Sequence, residues 1–457
     1  MNNAHTPHLS TPGLTPRRPP LASGLPLLGN ALSFRTHPVR YLLGLYHEHG
    51  PVFRVRLLNR EYTILAGLEA NRFLAREAGE YLGSGELFGG FALEMGSEIF
   101  MVALDGAPHR YQRKLQRRGF GRESFITRID EVVQLTRTFT SAWRPGARIT
   151  VFPTLQRLVT EHLGRVLGTL PCGDAFDALW TLLNTNMNVH VMKTHPKWVL
   201  RLPPYQRAKA RAWALARRVL AWHRENPPVD RPVDLIDDLL AAVDEDGKPF
   251  GEGELMAATL SPYFAGMDTV ASTLSFMLYA VLRHPDVLAR VRAEVDAAFA
   301  AGDGTLTADA LRAMPALHGL ALETLRVYSV APFTPRTVTQ AFDFGGYRIE
   351  PGTQVMVANG LTHFLPEYFP EPQRFDIDRH ARADRPKVAN AYAPFTLGSH
   401  TCLGAGMAET QLMVTLATLL HDFDFALPTP DYEVPVLAAP IPNPGQGFKI
   451  TVQRRRP

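Results

Sequence analysis

Chemistry in this chain gathers around one of its two cysteines, Cys172 and Cys402. Cys402 stands in Phe395-Thr-Leu-Gly398-Ser-His400-Thr-Cys402-Leu-Gly404-Ala-Gly406, which runs straight into an apolar, helix-spaced stretch at 405–423. A thiol at a helix N-terminus gains from the positive end of the helix and from backbone N–H donors, and both lower its pKa toward thiolate. A thiolate in an open, glycine-rich loop suits axial ligation of a metal. Gly398 and Gly404 would let the backbone approach a flat macrocycle without Cβ collisions. Residue types alone leave other readings. One is a small buried core cysteine. Another is a dinucleotide loop at Gly404-Ala-Gly406, where Glu409 stands in place of the third glycine. A zinc site needs more soft ligands than His400 and Cys402 supply. Cys172, in Leu-Pro-Cys-Gly-Asp, has no motif around it and reads as structural.

Three other segments carry polar groups at telling spacings. Residues 254–283 form the longest apolar stretch and contain Ala265-Gly266-Met267-Asp268-Thr269. A carboxylate and a hydroxyl in a buried helix are costly unless used or paired. The threonine can bond back to a carbonyl one turn earlier, the small pair Ala265-Gly266 leaves room beside it, and Pro262 should add a bend. A kink with Asp268 capping a neighbour is the alternative. Glu323-Thr-Leu-Arg326 places two opposite charges on one helix face. In His109-Arg-Tyr-Gln-Arg113-Lys-Leu-Gln-Arg117-Arg118, positions 109, 113 and 117 form one stripe and 110, 114 and 118 the next.

The cysteine segment resembles the cysteine-loop signature of the cytochrome P450 family, Phe-x-x-Gly-x-(Arg or His)-x-Cys-x-Gly, at Phe395, Gly398, His400, Cys402 and Gly404. The other segments follow in the family's order: the His-Arg helix, the Ala-Gly-x-Asp-Thr helix, Glu-x-x-Arg, then Pro372-Gln-Arg374-Phe375. The resemblance implies haem b (iron-protoporphyrin IX) with Cys402 as the thiolate ligand of its iron. It implies His109, Arg113, Arg336 and His400 as partners of the haem propionates, with Ala265, Phe395 and Gly398 also at the cofactor. It makes Asp268 and Thr269 the catalytic pair that delivers protons for dioxygen cleavage. Glu323, Arg326 and Arg374 would form a buried charge network.

The activity so implied is insertion of one oxygen atom from O2 into an apolar small molecule, such as a fatty acid, terpenoid or steroid-like compound. Electrons would come from a ferredoxin or flavodoxin with its NAD(P)H-dependent reductase, docking an acidic face near Arg110, Lys114 and Arg118. A peroxide-driven hydroxylase, an oxygen-independent isomerase and a haem-based ligand sensor are the alternatives on the same fold. Substrate contacts are expected from residues 84–103, 186–200, 263–265, 331–334 and 438–444.

The elements that must hold these groups follow from composition and pattern. Of 457 residues, 46% are hydrophobic and 20% charged, so disorder over most of the length is excluded. A net charge of +4 is too small to argue nucleic-acid binding. Two cysteines build neither a disulfide framework nor a four-sulfur cluster, which points to a reducing, cytoplasmic setting. No signal-peptide core and no uninterrupted apolar span are visible, so a soluble protein without a membrane span is expected. Residues 1–22 read as a flexible Pro-rich lead-in and 23–457 as the haem domain. Residues 51–66 alternate as a hairpin about Asn59-Arg60, 106–328 carry helical spacing, and strand signals return at 337–358 and 424–453. Strands that flank a helical block must assemble from both ends of the chain. The expectation is a mainly α fold with a smaller β region, one interwoven domain of the cytochrome P450 fold.

Overall fold

The computed structural model describes residues 18–456 apart from 230, 245, 384 and 385. Most of the expected lead-in therefore lies outside the described residues. Its last part does not, for the Ala22 N–H donates to the Arg54 carbonyl at 2.9 Å and Ala22 is buried.

Alternating side chains at 51–66 fold as expected into a hairpin, β1 (Val52–Leu57) and β2 (Arg60–Ala66). The turn falls one residue earlier than expected, at Leu58-Asn59, because Leu57 pairs with Arg60. Eight further strands follow: β3 (Leu82–Gly83), β4 (Arg148–Thr150), β5 (Thr334–Val338), β6 (Phe342–Phe344), β7 (Tyr347–Ile349), β8 (Gln354–Ala358), β9 (Phe423–Ala426) and β10 (Lys449–Arg455). Gly345 and Gly346 supply the positive φ angles, 58° and 81°, that close β6 on β7. The main sheet has the order β1-β2-β8-β5-β3, and a second runs β4-β10-β9. β2 and β8 lie parallel although almost 300 residues of chain separate them, which places the strands from both ends of the chain in one sheet.

The helical part is built on the helix Glu252–Arg283, apolar on all faces and buried accordingly. It has the length and composition of a membrane span, but 78% of that window is buried against the rest of the protein. It continues through Pro262. The proline cannot donate to the Ala258 carbonyl, and the Ser261 hydroxyl takes that carbonyl instead, at 2.8 Å. The helix Val151–Gly168 packs closely on it at Gly266, where a Cβ would lie 2.7 Å from Leu163 Cδ1. A side chain at Gly266 would therefore meet Leu163, while Ala265 and Gly266 both face open space on the side of the cysteine cavity.

The chain that leads to the cysteine loop is held by a buried charge cluster. Glu323 and Arg326, on the helix Pro315–Val327, are both inaccessible and joined by two bonds of 2.8 and 2.9 Å. The expectation for Arg374 is corrected here. Arg374 is exposed and pairs with Glu371, and the buried partner is Arg379, whose Nε donates to Glu323 Oε1 at 3.1 Å. The reason is a turn: the Asp376 N–H donates to Glu323, which brings the following turn inward. Arg374 contributes its carbonyl, which accepts from Arg326 and Arg379.

Candidate active site

Cys402 is presented by a loop whose backbone folds on itself. The Cys402 N–H donates to the Phe395 carbonyl at 3.0 Å, and the helix Ala405–Asp422 begins three residues later. Gly398 is required by its φ of 76° and by the Leu74 carbonyl oxygen, 2.3 Å from where its Cβ would stand. It packs closely on the helix Leu68–Arg76. Gly404 has an ordinary φ and meets nothing closer than Phe120, 3.5 Å from an added Cβ. Gly398→Ala is expected to cost about 1–3 kcal/mol through the backbone alone, read as a fall in Tm, while Gly404→Ala costs less.

The sulfur lies on the wall of a cavity of about 300 Å³. Burial pushes the Cys402 thiol up, against the pull of the Gly404 N–H and Arg113. The lowering expected from the helix end is thus outweighed. A coordinated metal ion, which deprotonates a thiol outright, is what the site needs to reach thiolate.

Other walls of the cavity come from the helix Gly106–Gln116, from β5 and from the long helix. His109, Arg113, Arg336 and His400 all reach it, as do Ala265 and Thr269. Among the described residues, neither Arg113 nor Arg336 has a carboxylate in ion-pair range. Arg336 bonds only the carbonyl of Pro335, and burial lowers its pKa to about 10. His109 stacks on His400 with ring centres 3.9 Å apart. Burial and the positive neighbours drop His109 to about 4, so its ring is neutral. His400 Nε2 lies 3.0 Å from Asp105 Oδ1, and the Ser84 N–H donates to the other oxygen of Asp105 at 2.7 Å. Two guanidiniums without counter-charges, two imidazoles and a thiol around one cavity would suit a group with two carboxylates and a thiolate-binding metal. The match to the family described as Cytochrome P450 extends over residues 19–450.

The chain belongs to the cytochrome P450 family. It is 26% identical over 415 residues to a sterol 14alpha-demethylase of Mycolicibacterium vanbaalenii, covering 88% of this chain and 90% of the relative. It is 28% identical to a cyclooctat-9-en-7-ol 5-monooxygenase of Streptomyces melanosporofaciens, covering 86% of each. The fold superposes on the retinoic-acid-bound cyanobacterial CYP120A1 with a TM-score of 0.81 at 24% identity, over 96% of this chain and 99% of that one. As a member of the family it is a haem b monooxygenase.

The P450 oxygen-helix residues divide between two faces. Thr269 is on the cavity wall, and its hydroxyl donates to the Ala265 carbonyl at 2.7 Å, as expected. Asp268 is not on that wall. Its Oδ1 accepts from Gln156 Nε2 at 2.6 Å, and burial raises its pKa. On the His-Arg helix, the buried positions are His109, Gln112 and Gln116, because the face repeats at three and seven residues; Arg117 is exposed. In the outer stripe, Arg118 is already paired with Asp238, which leaves Arg110 and Lys114 exposed.

Beyond Ala265 lies a second compartment of about 160 Å³, walled by Phe88, Phe91, Phe100, Phe120, Phe250 and Phe264. It shares Phe88, Met101, Val102, Phe120 and Ala265 with the cysteine cavity. Segment 84–103 lines it as expected, with Phe264 and Ala265, whereas 186–200 contributes only Met187 and neither 331–334 nor 438–444 reaches either space. Leu239, Phe250 and Leu255 were not foreseen. Leu239 reaches the wall because the helix Leu235–Ala241 folds against Gly106–Gln116, a contact with no local sequence signal, while Phe250 just precedes the long helix and Leu255 lies in its first turn.

Proposed function

We propose that the protein hydroxylates an apolar small molecule held in the aromatic compartment, using electrons from an acidic one-electron carrier. The observation that carries this is that the compartment and the cavity at Cys402 are neighbours sharing five wall residues, Phe88, Met101, Val102, Phe120 and Ala265. A body lying among six phenylalanines extends toward the cysteine cavity with few polar groups to satisfy. Relatives named for a sterol and for cyclooctat-9-en-7-ol support the apolar class.

When bound, haem supplies the activation of dioxygen. Cys402 holds its iron, and Arg113 and Arg336, with His109 and His400, hold its propionates. Thr269 orients a proton donor at the cavity wall, with its hydroxyl anchored on Ala265. Asp268 stands behind it on Gln156, where burial raises its pKa and so favours the protonated carboxyl. The aromatic walls keep bulk water away from the reacting centre. Arg110 and Lys114 offer the exposed cationic face for a ferredoxin or flavodoxin, in a cytoplasmic setting.

Purified holoenzyme, a ferredoxin couple with NAD(P)H and labelled O2 test the reading. One labelled oxygen atom in the product is expected; a product without label overturns it. Thr269→Val is expected to keep NAD(P)H consumption while diverting most of it from product to peroxide, read as the ratio of the two. Arg110→Glu with Lys114→Glu is expected to slow reduction at low salt and to match the wild type at high salt. Arg118 is left out of that test, since its reversal would break the pair with Asp238.

A further inference from the structure

The wall of the aromatic compartment is not wholly apolar. It carries five polar side chains, Ser97, Gln112, Gln116, Glu254 and Ser261. Three of them are already engaged locally. Ser97 Oγ accepts from the Ile99 N–H, Glu254 Oε2 accepts from the Gly251 N–H, and Ser261 donates to the Ala258 carbonyl. Gln112 and Gln116 differ. They are 5% and 3% exposed, sit one helical turn apart, and share a single long bond of 3.4 Å from Gln116 Nε2 to Gln112 Oε1. Among the described residues, Gln116 Oε1 is buried without a hydrogen-bond partner. A buried amide oxygen left unmet is costly, and the surrounding phenylalanines have nothing to donate.

We infer that Gln116, supported by Gln112, selects substrates that are apolar throughout but carry one hydrogen-bond donor, a hydroxyl, away from the carbon to be oxidised. The inference rests on the apolar-substrate reading and narrows it. A ligand hydroxyl donating to Gln116 Oε1 satisfies that atom, while Gln112 and the remaining amide N–H groups can return a bond to the ligand oxygen. A hydrocarbon of the same shape leaves Gln116 Oε1 unmet, and sites built in this way reject the analogue that lacks the donor.

The test compares cyclododecanol, cyclododecane and cyclododecyl methyl ether on the holoenzyme, by the ferric spin-state shift and by calorimetry. The wild type is expected to bind the alcohol about tenfold more tightly than the alkane or the ether. In Gln116→Leu, and in the near-isosteric Gln116→Met should the first variant fold poorly, the preference is expected to vanish while the alkane binds as well as before or better. Equal affinity of the wild type for alcohol and alkane overturns the inference alone. So does an ether bound as tightly as the alcohol, or a preference that survives in both variants. Failure of every probe to bind overturns the apolar-substrate reading, and this inference with it.

Discussion

Cys402→Ser is expected to abolish turnover and to move the Soret maximum of the reduced carbon monoxide complex away from the thiolate position. The hydroxyl is nearly the same size, so packing of the loop on Phe395 and Leu74 is unchanged and the loss is electronic. Burial already works against an anion at this sulfur, and only its Gly404 and Arg113 neighbours oppose that. A serine oxygen, far harder to ionise, has no means of becoming the anionic ligand that donates electron density to iron. Cys172→Ser is the matched control. Cys172 lies outside both cavities, its thiol donating to Glu161 Oε1 at 3.2 Å, so colour and turnover are expected to stay as in the wild type. A Cys402→Ser protein that keeps the wild-type spectrum and rate would remove the basis for assigning this cysteine to the iron.

Particular residues show why some of this was legible in the sequence and some was not. The cysteine loop, the hairpin at β1–β2 and the all-apolar long helix are local patterns, and the chain follows them. Thr269 could be placed because its partner, the Ala265 carbonyl, lies one turn away on the same helix. Asp268 could not, since its partner Gln156 lies on another helix, 112 residues away in sequence. Gly398 shows the same limit. A glycine was visible, but the carbonyl of Leu74 that demands it comes from far earlier in the chain. The choice of Gln112 and Gln116 over Arg117 for the buried face turned on how the helix docks, which charge patterning alone does not report. Arg374 was expected from the resemblance of its segment to the family's, and nothing local in the sequence shows that a turn folds Arg379 inward instead.

That last distinction sets the largest expected effect on stability. Glu323→Gln is expected to destabilise the protein by about 3–5 kcal/mol, because it leaves Arg326 and Arg379 buried without their counter-charge. Arg379→Ala is expected to approach the same cost. It removes the donor not only from Glu323 but also from the carbonyls of Pro370, Glu371 and Arg374. Arg374→Ala, which breaks only an exposed pair with Glu371, is expected to change stability by less than about 0.5 kcal/mol. Urea unfolding of the three variants at neutral pH makes the comparison; an Arg374 variant as unstable as the Arg379 variant would reverse the assignment. The pH dependence has a definite sign. Burial pushes Glu323 up, but His380, Arg326 and Arg379 prevail and hold it at about 2, below its ordinary 4.5. A carboxylate lowered on folding contributes stability that is complete above the ordinary value and is lost as pH falls through the folded one. The difference between wild type and Glu323→Gln should therefore shrink between pH 4.5 and about 2. Because the cluster anchors the chain on the way to Cys402 through the carbonyls of His363 and Pro372, loss of haem is expected to accompany unfolding in that window.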